Sequence, residues 1–287
     1  MSALTTFDLG DTGKIDLTQI YNQPDPRSYY QTLGQLDYRI PAEAAPVFRR
    51  VIRARRTLRQ QRRMTVLDVG SSYGVNAAIL KHGYGLGDLF RLYGRDETRN
   101  LSRHALIRRD QRLFHARVVD RNLVTIGLDS AARAVGYADQ ADILDAGLAA
   151  NLEKRPPTLG EARRLAEVDL VISTGAIGYV GAPTFNRILE RARRAPWFAL
   201  FALRMFPVGR IAAALRKSGY SVYKLRSRTF RQRRFAGPDE AGEVLARLDG
   251  LGIDPTGREA AGWYHAEFYF AQPIREPAPP IPGLKPC

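Results

Sequence analysis

Residues 65–83, TVLDVGSSYGVNAAILKHG, gather an acid, two serines and two glycines into one short corner. Thr65 to Val69 is a run of β-branched and apolar residues, long enough for one buried parallel strand. Gly70-Ser71-Ser72-Tyr73-Gly74 reads as a turn of small residues. Val75 to Lys81 follows as a helix, with Gly83 as its stop. A strand that turns into a helix aims backbone N–H groups and a positive dipole end above the sheet edge. Gly70 and Gly74 are expected to leave that surface bare, so that a ligand could touch the backbone, and Asp68 adds a charge beside it. The corner suits a ligand that carries both anionic and cationic groups.

A second acid ends a second predicted strand, Leu123 to Asp129 (LVTIGLD). In α/β nucleotide sites an acid at that place accepts hydrogen bonds from ribose hydroxyls. With Ser130 after it, Asp129 is alternatively a helix-capping residue. Two side chains are candidates for touching or deprotonating a substrate: Tyr179, in the loop after a predicted strand at 168–172, and His265, on a predicted strand at Trp263–Phe270. Each has a structural role as its alternative. His82 ends the first helix, where a cationic side chain suits the dipole. Tyr21, Tyr29, Tyr30 and Tyr38 place four phenols before the first strand. They could bind an aromatic or cationic acceptor, or anchor an N-terminal arm.

The spacing D-x-G-x-x-x-G at Asp68, Gly70 and Gly74 departs from the G-x-G-x-x-G of dinucleotide-binding proteins. It resembles the first motif of the class I S-adenosylmethionine-dependent methyltransferases, a likeness that extends roughly over residues 46–272. In that family the Gly-rich turn lies against the methionine moiety and ribose, and the acid helps to position the amino group. The resemblance implies S-adenosyl-L-methionine as cofactor, held by Asp68, Gly70, Ser71, Ser72, Tyr73, Gly74, Asp129 and Ser130. It further implies an adenine contact after the third strand, at Asn151 and Leu152, with Asp142 and Asp145 as alternatives. Thr174 and Gly175 fall in the loop that faces the methyl group, and Tyr179 nearer the acceptor. The segment before the first strand often forms a lid in this class, so Tyr21, Tyr29, Tyr30 and Tyr179 are the implied substrate-binding residues. No N-P-P-Y sequence follows the fourth strand, which argues against methylation of adenine or cytosine-N4 in DNA.

These residues require a doubly wound, Rossmann-like α/β domain with a seven-stranded sheet, mostly parallel, ending in an antiparallel strand. Its predicted helices cover 46–63, 75–81, 131–145, 183–194, 209–219 and 239–248. The third strand is expected at 149–153, the fifth at 197–205 and the sixth at 221–226. Residues 84–121 delay the second strand and read as a helical insertion that borders the site or forms a contact between copies. Arg108, Arg109, Arg112, Arg117 and Arg121 make it basic. Residues 1–45 form the lid or arm, 46–272 the methyltransferase domain, and 273–287 a proline-rich tail, disordered or draped on the surface.

The 287 residues suit one large domain, and 45% hydrophobic content is enough for a core. No apolar run is long enough to span a bilayer and the N-terminus lacks a signal pattern, so a cytoplasmic protein with no membrane partner is expected. The one cysteine is Cys287, which excludes an internal disulfide and a cysteine-rich zinc site; no metal is expected. The net charge of +15 comes from 38 arginines and six lysines. Spread along the chain, these support nucleic-acid binding weakly. The function expected is in-line methyl transfer to a small molecule. The alternatives are an RNA methyltransferase that uses the basic insertion, and a non-catalytic binding protein with the cofactor fold.

Overall fold

Met64–Val69 (β1) is buried at all six positions, because a parallel strand is covered on both faces. The computed structural model describes residues 18–277 and 279–287. On one side β1 pairs in parallel with Leu123–Asp129 (β2), beyond which lies Ala146–Ala149 (β3). On its other side it pairs in parallel with Leu170–Ser173 (β4), followed by Trp197–Leu203 (β5). Chain direction therefore splits at β1: connections run one way through β2 and β3, the other way through β4 and β5. Such a switch point is where open α/β sheets bind ligands, at the carboxyl ends of the strands.

The rest of the sheet is antiparallel. Tyr220–Leu225 (β6) and Phe230–Arg234 (β7) both pair with Trp263–Pro273 (β8), which itself runs against β5. Leu284–Pro286 (β9) closes the edge on β6. The order is β3-β2-β1-β4-β5-β8-β6-β9, with β7 beside β8. The expected Rossmann-like sheet with an antiparallel C-terminal strand is present, with nine strands in place of seven. The extra two are β7, whose FRQRR sequence hides its apolar face, and β9, within the proline-rich tail. That tail also supplies Glu276, which pairs with Arg55 at 2.8 Å and Arg59 at 3.1 Å.

Strand alternation divides the core into two layers. Val66, Ile172 and Phe201 face one layer, with Phe48 and Ile79; Leu67, Val171 and Phe198 face the other, with Phe185 and Leu215. Before β1 the chain forms Thr18–Tyr21 (α1), Arg27–Gln35 (α2) and Ile40–Arg59 (α3). The prolines at 24 and 26 delay α2 rather than abolish it, since it starts directly after Pro26. α3 starts six residues before the expected 46, because Ile40, Ala44, Ala45 and Val47 continue its buried face past Pro46. Val75–Leu80 (α4) follows the Gly-rich turn. The insertion is three helices, Leu86–Gly94 (α5), Asp96–Arg99 (α6) and Arg103–Ala116 (α7).

After β2 come Ala132–Gln140 (α8) and then β3, which begins three residues earlier than expected because α8 ends at Gln140. Leu159–Leu165 (α9), Ala182–Arg191 (α10), Gly209–Lys217 (α11) and Pro238–Gly250 (α12) complete the helices. Among the described residues no helix is long and apolar enough to cross a membrane.

Candidate functional site

Three consecutive features bring the turn after β1 to the switch point. Gly70, Ser72 and Gly74 all take left-handed backbone angles (φ 79°, 48° and 75°). Ser72 pays for this most, as a residue with a side chain in a region that favours glycine. Its N–H is held at 2.8 Å by Asp129 Oδ2. The other oxygen of Asp129 accepts from the Ala131 N–H at 2.9 Å. Asp129 thus fastens the β1 turn to β2 and accepts from the residue that precedes α8, while Ser130 is exposed.

The expectation of a bare, amide-lined cradle needs correction. The Gly70 and Ser71 N–H groups donate to the Leu128 carbonyl, and the Gly74 N–H donates to that of Ser71. A Cβ on Gly70 would lie 2.4 Å from that of Ala176, and one on Gly74 2.8 Å from Ile143. These glycines serve positive φ and close protein packing, so the turn meets its own chain where an open surface was expected.

What remains toward the switch point is acidic and buried. Asp68 is 4% exposed, and both of its oxygens lie 3.1 Å from a single donor, Asn76 Nδ2. That amide also reaches Thr174 Oγ1 at 3.1 Å, tying β1 to the loop after β4. Burial pushes the Asp68 carboxyl up to about 7 against the pull of Asn76, and the charge of Asp129 pushes the same way. The two acids therefore act on one region. Ser71, Ser72 and Ser173 are buried with hydroxyls that find no partner among the described residues, as is the Gln232 Oε1. Buried polar groups are ordinarily satisfied, so these four leave hydrogen-bonding capacity that the described residues do not use.

Tyrosines close this region from the N-terminal side. Tyr29 packs on Tyr73 at 5.4 Å and on Tyr21 at 5.6 Å, while the Tyr73 hydroxyl donates to the Gln23 carbonyl. Tyr21 is half-buried, and its surroundings raise the phenol to about 12; Arg233 opposes this, whereas Tyr179 and Asp129 add to it. Tyr21 thus shares its surroundings with one acid of the site and with the loop tyrosine. Tyr30 does not: it stacks on Tyr93 of α5 at 4.6 Å, facing the insertion.

Other expected residues divide in the same way. Tyr179 is 55% exposed, with its ring 6.4 Å from Phe206. Gly175 lies under Gln232, whose Nε2 would be 3.0 Å from a Cβ there. Asn151 accepts the Glu153 and Lys154 N–H groups at 3.0 and 3.2 Å, which makes a turn after β3, and Leu152 is buried in the core. Asp142 stands at a left-handed turn and Asp145 holds Thr125, so neither alternative faces Asp129. His265 points away from the tyrosine cluster, because its neighbour Tyr264 takes the opposite face of β8. Its Nδ1 lies 2.8 Å from Thr229 Oγ1.

Sequence reasoning missed Asn76, Gln232 and the Arg233–Glu240 pair, bidentate at 2.8 and 2.7 Å and almost wholly buried. A register shift between Arg231 and Arg234 turns both Gln232 and Arg233 inward, which a two-residue period cannot foretell.

No family model and no curated protein matches the chain. Solved structures do. YcgJ protein from Bacillus subtilis is 8% identical over 80% of this chain and all of its own, with a TM-score of 0.45. Magnesium protoporphyrin IX methyltransferase from Synechocystis PCC 6803, solved with bound SAM, is 13% identical over 85% of this chain and 79% of its own, with a TM-score of 0.38. A TehB-like SAM-dependent methyltransferase from Corynebacterium glutamicum is 12% identical over 80% and 96%, with a TM-score of 0.38. At these identities no residue role passes from them to this chain.

Proposed function

We propose that the chain is an S-adenosylmethionine-dependent methyltransferase acting on a small molecule. The observation that carries this reading is the buried Asp68 carboxyl at the β1–β4 switch point. Among the described residues it has one neutral donor for partner and the carboxylate of Asp129 within electrostatic reach. Two acids so placed favour a cationic ligand, and S-adenosylmethionine carries both an ammonium and a sulfonium group. Asp68 would accept the ammonium. Asp129, half-buried at the end of β2 with each oxygen bonded once, retains lone pairs for ribose hydroxyls.

The bound cofactor supplies an activated methyl group. The chain's own part is to align acceptor and sulfonium and to exclude water, which can be worth roughly 7–11 kcal/mol. Tyr21 on α1 and Tyr29 on α2 would exclude water, and exposed Tyr179 would meet the acceptor. Asn151, Leu152, Thr174 and Gly175 stay proposed as flanking contacts; His265 and Tyr30 face elsewhere.

Titration calorimetry with S-adenosylmethionine and with S-adenosylhomocysteine tests the reading. Saturable binding is expected for both, with affinity at least about tenfold weaker in Asp129→Ala, where a charge-assisted contact is lost. Absence of heat and of any thermal shift with either ligand would sink it.

A further inference from the structure

β7 brings to the candidate site a side chain that no described residue uses. The register shift between Arg231 and Arg234 turns Gln232 inward, where it is 4% exposed. Its carbonyl accepts the Arg39 N–H at 2.7 Å, and the Arg234 N–H donates to the Leu36 carbonyl at 2.8 Å, so the α2–α3 corner clamps the backbone at 232 and 234. The carboxamide lies against Gly175, where a Cβ would be 3.0 Å from its Nε2. Both neighbours of Gly175 meet the Gly-rich corner. Thr174 Oγ1 accepts at 3.1 Å from Asn76, the donor to Asp68, and Ala176 fills the space a Cβ on Gly70 would need. Short contacts thus run from Asp68 through Asn76 and the loop after β4 to Gln232.

Among the described residues the Gln232 Oε1 has no donor and its Nε2 no acceptor. A buried carboxamide with both ends unspent is costly, and its neighbours bring no relief. Arg233 is bidentate with Glu240 at 2.8 and 2.7 Å, and its Nη1 also reaches the Arg234 carbonyl at 2.8 Å. Glu240 in turn accepts the Ala236 N–H at 2.9 Å. That ion pair answers itself, so the partner that suits Gln232 is a neutral group with a donor and an acceptor side by side.

We propose that the Gln232 carboxamide recognises the methyl acceptor, and that the acceptor carries adjacent N–H and C=O groups, as a lactam or amide does. Oε1 accepts from its N–H while Nε2 donates to its C=O, a paired contact that fixes orientation as well as affinity. The assignment rests on the methyltransferase reading, in which the loop after β4 meets the acceptor.

Two isomers test this on protein saturated with S-adenosylhomocysteine: 2-pyridone, with N–H and C=O side by side, and 4-pyridone, with the two at opposite ends. Saturable one-site binding of 2-pyridone is expected, at least about tenfold tighter than that of 4-pyridone. The Gln232 side-chain amide resonances of the unaltered protein should shift as 2-pyridone saturates. In Gln232→Leu the preference between isomers should vanish, and Gln232→Glu at pH 8, with an acceptor but no donor, should lose it too. Equal affinities for the isomers, unmoved Gln232 resonances, or a preference that survives both substitutions would overturn the proposal while S-adenosylhomocysteine still binds. Failure of S-adenosylhomocysteine to bind would instead remove the methyltransferase reading, and this assignment with it.

Discussion

Asp68 shows how a single buried carboxyl can be read as both a stability and a binding group. Held at about 7 in the folded chain against an ordinary 3.8, it binds its proton more tightly folded than unfolded. Its contribution is therefore fully present below about pH 4 and is lost as pH rises through 7, by at most about 4 kcal/mol. Asp68→Asn should unfold at a higher temperature than the parent at pH 8 and show little difference at pH 4. A gap that does not widen with pH would mean that the carboxyl is solvated. For a cationic ligand the sign reverses: binding needs the ionised form. Affinity for S-adenosylmethionine should fall about tenfold per unit below pH 7, and Asp68→Asn should flatten that slope. A second residue-scale expectation concerns Gly70. An alanine there meets Ala176 and a φ of 79°, so Gly70→Ala should cost about 2 kcal/mol or more in urea unfolding. No measurable loss would show that the loop after β4 yields.

At the scale of elements, the parallel half was legible because its strands are short apolar runs with sharp ends. MTVLDV, LVTIGLD and LVIS fell within a residue or two of expectation. What escaped was structure whose burial is supplied from elsewhere. β7 reads as an arginine-rich surface, yet a bulge, the α2–α3 corner and Glu240 bury two of its polar side chains. β9 and Glu276 escaped because proline-rich sequence resembles a loose tail. Likewise the acids at the site could be placed on strand ends, but amides already spent inside the turn could not be read from glycine spacing. Arg55, within the predicted 46–63 helix, is wholly buried, and its guanidinium is answered by Glu276, the Ala195 carbonyl and the Trp197 ring. Removing one partner of a buried pair leaves the other uncompensated. Glu276→Ala should therefore destabilise the chain by about 3–5 kcal/mol, read from its urea midpoint, although only 11 residues follow it. A loss under about 0.5 kcal/mol, the level of an ordinary surface substitution, would mark the tail as incidental.

The whole molecule carries +15, and how that charge is arranged decides what it does. Many arginines are tied to partners: Arg109 binds Asp110 beneath Tyr93, exposed Arg117 lies over Tyr84, and Arg56 holds Asp120. Others are not. Arg62 and Arg63 lead into β1 and Arg121 leads into β2; the Met64–Leu123 pairing sets these two entries side by side. All three are exposed without an ion pair among the described residues, on the sheet edge opposite the candidate site. Like charges gathered there repel, and exposed charges are screened by salt within roughly 10 Å at 0.1 M. Folding concentrates them, so screening should favour the folded chain. Raising sodium chloride from about 20 to about 300 mM should raise the unfolding temperature by a few degrees, and less in Arg62→Gln/Arg121→Gln. The same edge bears on the RNA alternative. If the surplus charge serves a polyanion, affinity for RNA should fall steeply with salt and the slope should shrink by about one per arginine removed. If it is only uncompensated repulsion, salt will stabilise the fold while RNA binding stays negligible at every ionic strength.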